Sequence, residues 1–298
     1  PLLQAAEQPA PEVLVETIKV EPWPLKMEYA GRTAGYREVE VRGQVSGILQ
    51  ERTYQEGSRV TKGQVLFHID PRTYQAALGR AKGALAQEQA RYRQTERDLK
   101  RIRELQKKGF ASESELDNAI SNYEQSRANI QAAEAEVQAR QIDLDYTTVK
   151  APISGITSKE TRSEGSLVVA GDPNASLLTQ ITQLDPLFVN FADQEAERLR
   201  NELQAGELTI PSGDRLQVEL IFGNGSSYPL LGEVDFTDSL ITRGTGTVSV
   251  RAVVPNPEQV LLPGQFVRVL VKGLVYPKTV SVPEKAVAQN PQGTYVYV

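Results

Sequence analysis

A short sequence pattern occurs twice in this chain, at a spacing of 108 residues. The first copy, QVSGILQERTYQEGSRVTKG, spans residues 44–63, and the second, PISGITSKETRSEGSLVVAG, spans residues 152–171. Each copy consists of short alternating apolar pieces separated by Ser-Gly and Glu-Gly-Ser, a pattern typical of a small β-meander. We expect tight turns at the glycines, because glycine adopts the positive φ that such turns require. These glycines are Gly47, Gly57, Gly155 and Gly165.

The duplication constrains the fold, because one copy alone cannot bury its apolar face. Two related halves therefore have to pack on each other, and we predict a quasi-symmetric β-sandwich with halves at 39–70 and 145–184. The residues between the copies must then leave the sandwich and return to it at nearly one point.

Heptad spacing across the inserted segment, residues 71–144, predicts two long helices with a coiled-coil seam. Gly109 suits the end of the first helix, and Ser112 with Glu115 has the spacing of a capping box for the second. So short a break forces an antiparallel hairpin, with its tip at about 105–113. The seam residues are Leu78, Leu85, Tyr92 and Leu99 in the first helix and Leu116, Tyr123, Ile130 and Val137 in the second.

The two predicted helices differ in charge. Residues 72–108 contain eleven Lys/Arg and four Asp/Glu, a net charge of +7, whereas residues 109–144 contain two and seven, a net charge of −5. One interpretation is attraction between the two helices of one hairpin. The other is contact between the basic flank of one hairpin and the acidic flank of an adjacent copy, which would close into a ring.

The chain from residue 185 onward is mostly β. Strand-like segments such as LFVNF and TVSVRAVV alternate with Gly, Pro and Asn turns. One stretch, DQEAERLRNELQAGE, predicts a short amphipathic helix that ends near Gly206. With a strand at 23–38, these segments indicate a small β-barrel with one helix over 185–277.

The two ends of the chain are expected to form a third, incomplete β-unit. Residues 278–298 begin like a β-hairpin, and the only segment left to pair with them is VLVETIKV, within 13–22. We expect a turn at Glu21–Pro24, and the Pro- and Ala-rich residues 1–12 predict a flexible tether. The predicted fold class is mainly β with a long α-helical coiled-coil hairpin, in an elongated, nested multidomain chain.

Composition excludes several function classes. The chain has 298 residues, a net charge of −5 at pH 7, no Cys, one His and one Met. This inventory provides neither a basic field for nucleic acid nor a thiolate or imidazole-rich metal site. His68 lies in a strand-like segment and no GxSxG elbow is present, so we expect no enzymatic activity, no cofactor and no metal. A lipoyl or biotinyl carrier would need a modifiable Lys on a tight hairpin between the two halves, where this chain has its helical segment.

These features together resemble the periplasmic adaptor (membrane fusion) proteins of RND-type tripartite multidrug efflux pumps, the family of AcrA and MexA. The resemblance covers residues 13–298 and is most specific in VSGILQERTYQEGSRVTKGQVLFHIDP, YTTVKAPISGITSKETRSEGSLV, QLDPLFVNF and GTVSVRAVVPNPEQVLLPGQFVRV. It implies lipoyl-like halves at 39–70 and 145–184, a barrel at 23–38 and 185–277, and a membrane-proximal β-domain at 13–22 and 278–298.

The resemblance also implies the partners of a non-enzymatic adaptor for the export of drugs or toxic compounds. They are an inner-membrane RND transporter, contacted through the barrel and the terminal β-unit, and a TolC-type outer-membrane channel, with six adaptor copies forming a sealed funnel. Many members carry a lipid on an N-terminal Cys, so we expect a periplasmic protein attached to the inner membrane through an anchor missing from this sequence.

Family members engage the channel through an Arg-Leu-Ser pattern at the hairpin tip. The residues with matching spacing here are Arg101, Leu105 and Ser112 in RIRELQKKGFAS. The alternative interpretation is structural: Arg101 is a solvated charge, Leu105 belongs to the seam, and Ser112 only caps a helix.

Other functions share parts of this pattern. An adaptor of an ABC-type exporter or of a heavy-metal RND pump has the same architecture, although one Met and one His argue against metal handling. A coiled-coil scaffold unrelated to transport would not depend on the tip residues. For the adaptor we expect hinges where strands cross between domains, near Tyr36–Val39 and Asp185–Leu187.

Overall fold

A computed structural model of the chain describes residues 15–211 and 216–298. It contains two compact units. The first, which we call the hairpin unit, comprises Gly35–Leu184. The second, which we call the barrel unit, comprises the residues up to Ala34 and those from Asp185 onward. The chain therefore passes between the units twice, close to the two predicted crossing points.

Both repeat copies lie in the hairpin unit and pack on each other through reciprocal strand pairs. Gly47 pairs with Val168, and the equivalent residue of the second copy, Gly155, pairs with Val60. Each copy thus pairs with the other through the same position of the repeat, as the duplication predicts. The strands of this unit are β2 (Gly47–Arg52), β3 (Arg59–Val60), β4 (Val65–Ile69), β5 (Thr148–Lys150), β6 (Gly155–Thr157), β7 (Leu167–Val168), the end of β1 (Val20–Arg42) and the start of β8 (Leu177–Asp193).

Hydrogen bonds between the copies follow the same two-fold relationship. The backbone N–H of Leu49 donates to the carbonyl of Ser166 at 2.9 Å, and the equivalent N–H of Thr157 donates to the carbonyl of Ser58 at 3.1 Å. Large apolar side chains from both copies fill the core between them. Those that are fully buried include Leu49, Leu66, Phe67, Ile69, Leu178 and Ile181.

The four repeat glycines serve two different purposes. Gly57 and Gly165 have φ values of 72° and 84° and supply the expected turns. The turn prediction is wrong for Gly47 and Gly155, which instead begin the strands β2 and β6. A Cβ on Gly155 would lie 2.6 Å from the carbonyl oxygen of Thr182, and a Cβ on Gly47 would lie 2.7 Å from a core side chain. Gly155 allows close approach of neighbouring backbone, and Gly47 leaves room for the Ile69 side chain.

The inserted segment forms two helices, α1 (Arg72–Lys107) and α2 (Glu113–Asp145), which pack along each other. Five residues join them, so they run antiparallel. The helices start from neighbouring strands, because α1 follows β4, α2 precedes β5, and β4 pairs with β5. All eight predicted seam residues are buried or partly buried: Leu78, Leu85, Tyr92, Leu99, Leu116, Tyr123, Ile130 and Val137.

A polar layer interrupts the seam. The hydroxyl oxygens of Tyr92 and Tyr123 lie 2.7 Å apart, and those of Thr95 and Ser126 lie 2.6 Å apart. Ser126 is only 1% exposed. Sliding one helix along the other would break both contacts between the helices, although Thr95 and Ser126 would each keep a bond to a carbonyl of their own helix, at 3.0 and 2.8 Å. The layer therefore helps to fix the register of the two helices.

The barrel unit is built from antiparallel strands in the order β1-β12-β9-β10-β11-β8, and β1 also pairs with β8, so that six strands close into a small barrel. The predicted short helix is present as α3 (Ala196–Ala205), and it ends at Gly206 with φ of 74°. The remaining strands are β9 (Gln217–Ile221), β10 (Gly232–Thr242), β11 (Thr247–Val254) and β12 (Phe266–Val280).

The sequence-based predictions for the chain ends are partly wrong. Residues 15–19 are not strand, and the turn expected at Glu21–Pro24 lies inside β1, where Pro24 pairs with Val275 of β12. A register irregularity between Glu21 and Trp23 accommodates Pro22, which has no N–H to donate. The tether prediction, 1–12, lies outside the described residues.

The terminal segment, 278–298, also differs from its prediction. Its strands β13 (Ala288–Asn290) and β14 (Gly293–Tyr295) pair with each other and follow a short 3-10 helix at Glu284–Ala286. Among the described residues of 13–22, pairing with 278–298 is limited to Val20 opposite Val280 and Glu21 opposite Thr279, at the end of β12.

We predict that Gly155→Ala destabilises the hairpin unit by about 1–3 kcal/mol, because the new Cβ must displace strand backbone. Gly83→Ala is the matched control. A Cβ on Gly83 meets nothing within 4 Å, so this change should stabilise α1 by about 0.5–1 kcal/mol. Denaturant unfolding of both variants checks the prediction, and equal stability of the two would contradict it.

Candidate functional site

The connection between α1 and α2 is held in place by backbone hydrogen bonds. Gly109, with φ of 77°, donates to the carbonyl of Gln106 at 3.0 Å. Phe110 donates to the carbonyl of Leu105 at 2.9 Å. This pair of bonds is a Schellman motif, in which a glycine in the left-handed region ends the helix. The tip is therefore an ordered turn.

A capping box fixes the other side of the tip. The backbone N–H of Glu115 donates to the Ser112 hydroxyl at 3.3 Å, and the backbone N–H of Ser112 donates to the Glu115 carboxylate at 2.7 Å. The Ser112 hydroxyl donates to the same carboxylate at 2.8 Å. These bonds hold the pKa of the Glu115 carboxyl below its usual range, the backbone bond contributing most. Ser112 therefore has the structural role that its spacing predicts.

Two of the three predicted docking residues share one surface. Arg101 and Leu105 are one helical turn apart on α1 and line a shallow groove of about 320 Å³ near the tip. Ser112 does not line this groove, since it lies at the start of α2. The other lining residues are Arg97, Lys100, Glu104 and Lys108.

The Arg101 side chain is available for a partner. It is 68% exposed, and its guanidinium contacts Asp98 on the same helix at 2.6 Å. An exposed ion pair of this kind contributes little to stability. Leu105 is 37% exposed, so it is only partly used by the helix seam.

The charge difference between the helices is not neutralised by ion pairs between them. Among the described residues, the salt bridges on α1 and α2 join residues of a single helix or, for Arg72, the neighbouring Asp70, and none joins α1 to α2. Direct pairing inside one hairpin therefore does not account for the basic α1 surface and the acidic α2 surface.

One exposed side chain at the tip is missing from the sequence-based prediction. Phe110 is 78% exposed, although it lies in an ordered turn. The signal available in the sequence is its place in KKGFAS, where an aromatic residue directly follows the glycine at the predicted end of the helix.

Elsewhere in the described ranges no group of three or more His, Asp or Glu side chains is arranged to hold a metal ion. No described helix is both long enough and apolar enough to span a bilayer. His68 lies in β4, opposite Glu51 of β2 and Thr148 of β5, as part of the sheet.

Two sequence profiles of one family match successive parts of the chain. The barrel-sandwich hybrid domain of RND MFPs matches residues 37–180, and the beta-barrel domain of RND MFPs matches residues 186–274. The chain belongs to the RND membrane fusion proteins. The two matched segments lie one in the hairpin unit and one in the barrel unit.

Named relatives agree with this membership in the RND membrane fusion proteins. The chain is 42% identical over 295 residues to the "Efflux pump periplasmic linker BepD" of Brucella suis, covering 98% of this chain and 74% of that protein. It is 38% identical over 292 residues to the "Multidrug efflux pump subunit AcrA" of Escherichia coli, covering 97% and 73%.

Solved structures support the fold of this membrane fusion protein. A MacA-MexA chimera carrying the Pseudomonas aeruginosa MexA alpha-hairpin domain aligns with a TM-score of 0.62 at 22% identity, covering 95% of both chains. MacA from Actinobacillus actinomycetemcomitans aligns with a TM-score of 0.64 at 22% identity, covering 95% of this chain and 91% of that one.

Membership confirms the functional class predicted from the sequence. RND membrane fusion proteins are non-enzymatic periplasmic adaptors of efflux pumps, and they work with an inner-membrane transporter and an outer-membrane channel. The chain is such an adaptor. The alternatives of an ABC-type exporter, a heavy-metal pump or an unrelated scaffold are not favoured by these relatives.

We predict that Ser112→Ala lowers the stability of the first turn of α2 by about 1 kcal/mol, whereas Ser112→Asp keeps the cap. The carboxylate form of Glu115 accepts the capping bonds. The box is therefore complete above the ordinary Glu pKa of 4.5 and is lost as the pH falls through the lowered folded value. Hydrogen exchange of the first-turn amides tests this, and equal exchange in both variants at pH 7 would contradict it.

Proposed function

We propose that the chain connects an inner-membrane RND transporter to a TolC-type outer-membrane channel, and that the helical tip docks on the channel through Arg101, Leu105 and Ser112. The structure of the tip supports this proposal most directly. The tip is ordered by hydrogen bonds on both sides, yet Arg101 and Leu105 remain accessible in one groove. A purely structural role does not require an arginine that is 68% exposed and tied only to its own helix.

Each unit has a part in this proposal. The β-sandwich with its lipoyl-like halves, 39–70 and 145–184, supports the helices at their base. The barrel at 23–38 and 185–277 and the membrane-proximal residues, 13–22 and 278–298, contact the transporter. Bending at Tyr36–Val39 and Asp185–Leu187, where the chain passes between the two units, couples movement of the transporter to the channel.

Six copies surround the export path in the assembled pump. The basic surface of α1 and the acidic surface of α2 lack ion pairs to each other within the described hairpin, which favours contact between adjacent copies. Attachment to the inner membrane through a lipid anchor is also part of the proposal and rests on the family resemblance. The exported substrates are drugs or other toxic compounds, as in the relatives named for multidrug efflux.

In vivo disulfide crosslinking tests the docking site. The chain has no Cys, so Ala111→Cys introduces a single thiol beside the proposed contacts. We expect a crosslink to Cys variants in the entrance of a TolC-type channel. Arg101→Asp should reduce its yield at least tenfold and abolish efflux, because the substitution reverses the charge that faces the partner.

The matched control is Lys62→Asp, a charge reversal at an exposed turn of the β-sandwich outside the two helices, which should leave crosslinking and efflux unchanged. A crosslink that is equally strong with Arg101→Asp would remove Arg101 from the docking site. Efflux that persists without any crosslink to a channel would overturn the proposed function.

A further inference from the structure

The exposure of Phe110 is not explained by the fold. In a Schellman motif the residue after the glycine commonly makes an apolar contact with the residue whose carbonyl it binds. Here those residues are Phe110 and Leu105, and they remain 78% and 37% exposed. Phe110 is therefore left largely open to solvent at the end of the hairpin, beside a partly exposed Leu105.

The backbone that carries Phe110 is fixed on both sides. Its own N–H donates to the carbonyl of Leu105, Gly109 before it donates to Gln106, and the capping box of Ser112 begins two residues later. A phenylalanine has only two side-chain torsions to restrain on binding. A rigidly presented aromatic side chain loses little conformational entropy when a partner buries it, and such residues dominate binding energy at interfaces.

The α1 side of Phe110 is basic. Residues 100–112 contain five Lys/Arg and one Glu. Lys107 and Lys108 are exposed beside the turn, and Arg101 lies one turn further along α1. On the α2 side the first acidic side chains are Glu113, which is exposed, and Glu115, which forms hydrogen bonds with Ser112. A partner surface would therefore complement the tip with an apolar pocket and with carboxylates that face the α1 side.

We propose that Phe110 is the anchor of the docking site and inserts into an apolar pocket bordered by acidic side chains at the periplasmic end of the outer-membrane channel. This inference rests on the proposed function, since it assigns the chemistry of the partner at the same tip. Phe110 supplies the buried contact, and the surrounding cations orient it. The residue therefore determines which channels this adaptor accepts.

Two other occupants fit the tip less well. A second copy of the tip presents another exposed Phe110 and a groove lined mostly by charged side chains, which is not an apolar pocket. An anionic membrane would attract the cations, but helices that bind membrane surfaces present a continuous apolar face. Here the tip presents only two large apolar side chains, Phe110 and the partly exposed Leu105, which do not form such a face.

The test uses the full chain and a purified TolC-type channel in detergent, chosen because its crosslink to Ala111→Cys depends on Arg101. Surface plasmon resonance compares the original chain with Phe110→Ala and Phe110→Leu. Phe266→Ala is the matched control, because Phe266 is also 74% exposed but lies in the barrel unit. We expect Phe110→Ala to weaken binding about 30-fold, the loss typical of a hot-spot residue. Phe110→Leu should recover most of the affinity, and the control should bind like the original chain.

The outcomes separate this inference from the proposed function. If Phe110→Ala binds as tightly as the original chain while Arg101→Asp still abolishes binding, Phe110 is not the anchor, but the proposed docking site at the tip is retained. If neither change affects binding, the proposed tip docking fails as well. Vesicles containing one-third anionic lipid provide the third arm. If the chain binds these vesicles only when Phe110 is present, and binds the channel equally well without Phe110, the proposed pocket is wrong. The partner of Phe110 would then be a membrane surface.

Discussion

Reciprocal pairing of the two repeat copies is the interaction on which the rest of the hairpin unit depends. Each copy alone has strands of two to six residues, too short to form a stable sheet. Pairing β2 with β7 and β3 with β6 joins the copies through equivalent contacts and encloses one core. The same arrangement places β4 beside β5, and these strands lead directly into α1 and out of α2. The sandwich thereby sets the spacing and direction of both helices at their base.

The interface between the two helices maintains their arrangement from the sandwich to the tip. A largely apolar seam gives them a continuous interface, and the hydroxyl layer of Tyr92, Tyr123, Thr95 and Ser126 restricts sliding. At the far end the Schellman motif and the capping box leave few backbone groups unsatisfied. An ordered tip is useful for docking, because little conformational entropy remains to be lost on binding.

Local chemistry explains which elements could be predicted from the sequence. Heptad spacing, a glycine at the end of α1 and the Ser112–Glu115 capping box are encoded within a few residues, so the helices and the tip were predictable. The extension of β1 through Pro24 depends on pairing with β12, a strand about 250 residues away. The close-packing role of Gly47 and Gly155 likewise depends on distant neighbours. Spacing and family resemblance together suggested Arg101 and Leu105, whereas the exposure of Phe110 follows only from its position on the folded turn.

The central claim is that the tip of this adaptor is the surface that meets the channel. Hydrogen-deuterium exchange of the full chain, measured with and without a saturating TolC-type channel, tests it most directly. We expect slower exchange in residues 105–113, with exchange in the strands of the repeat copies unchanged. Unchanged exchange at the tip, with protection confined to the β-sandwich or the barrel, would contradict it.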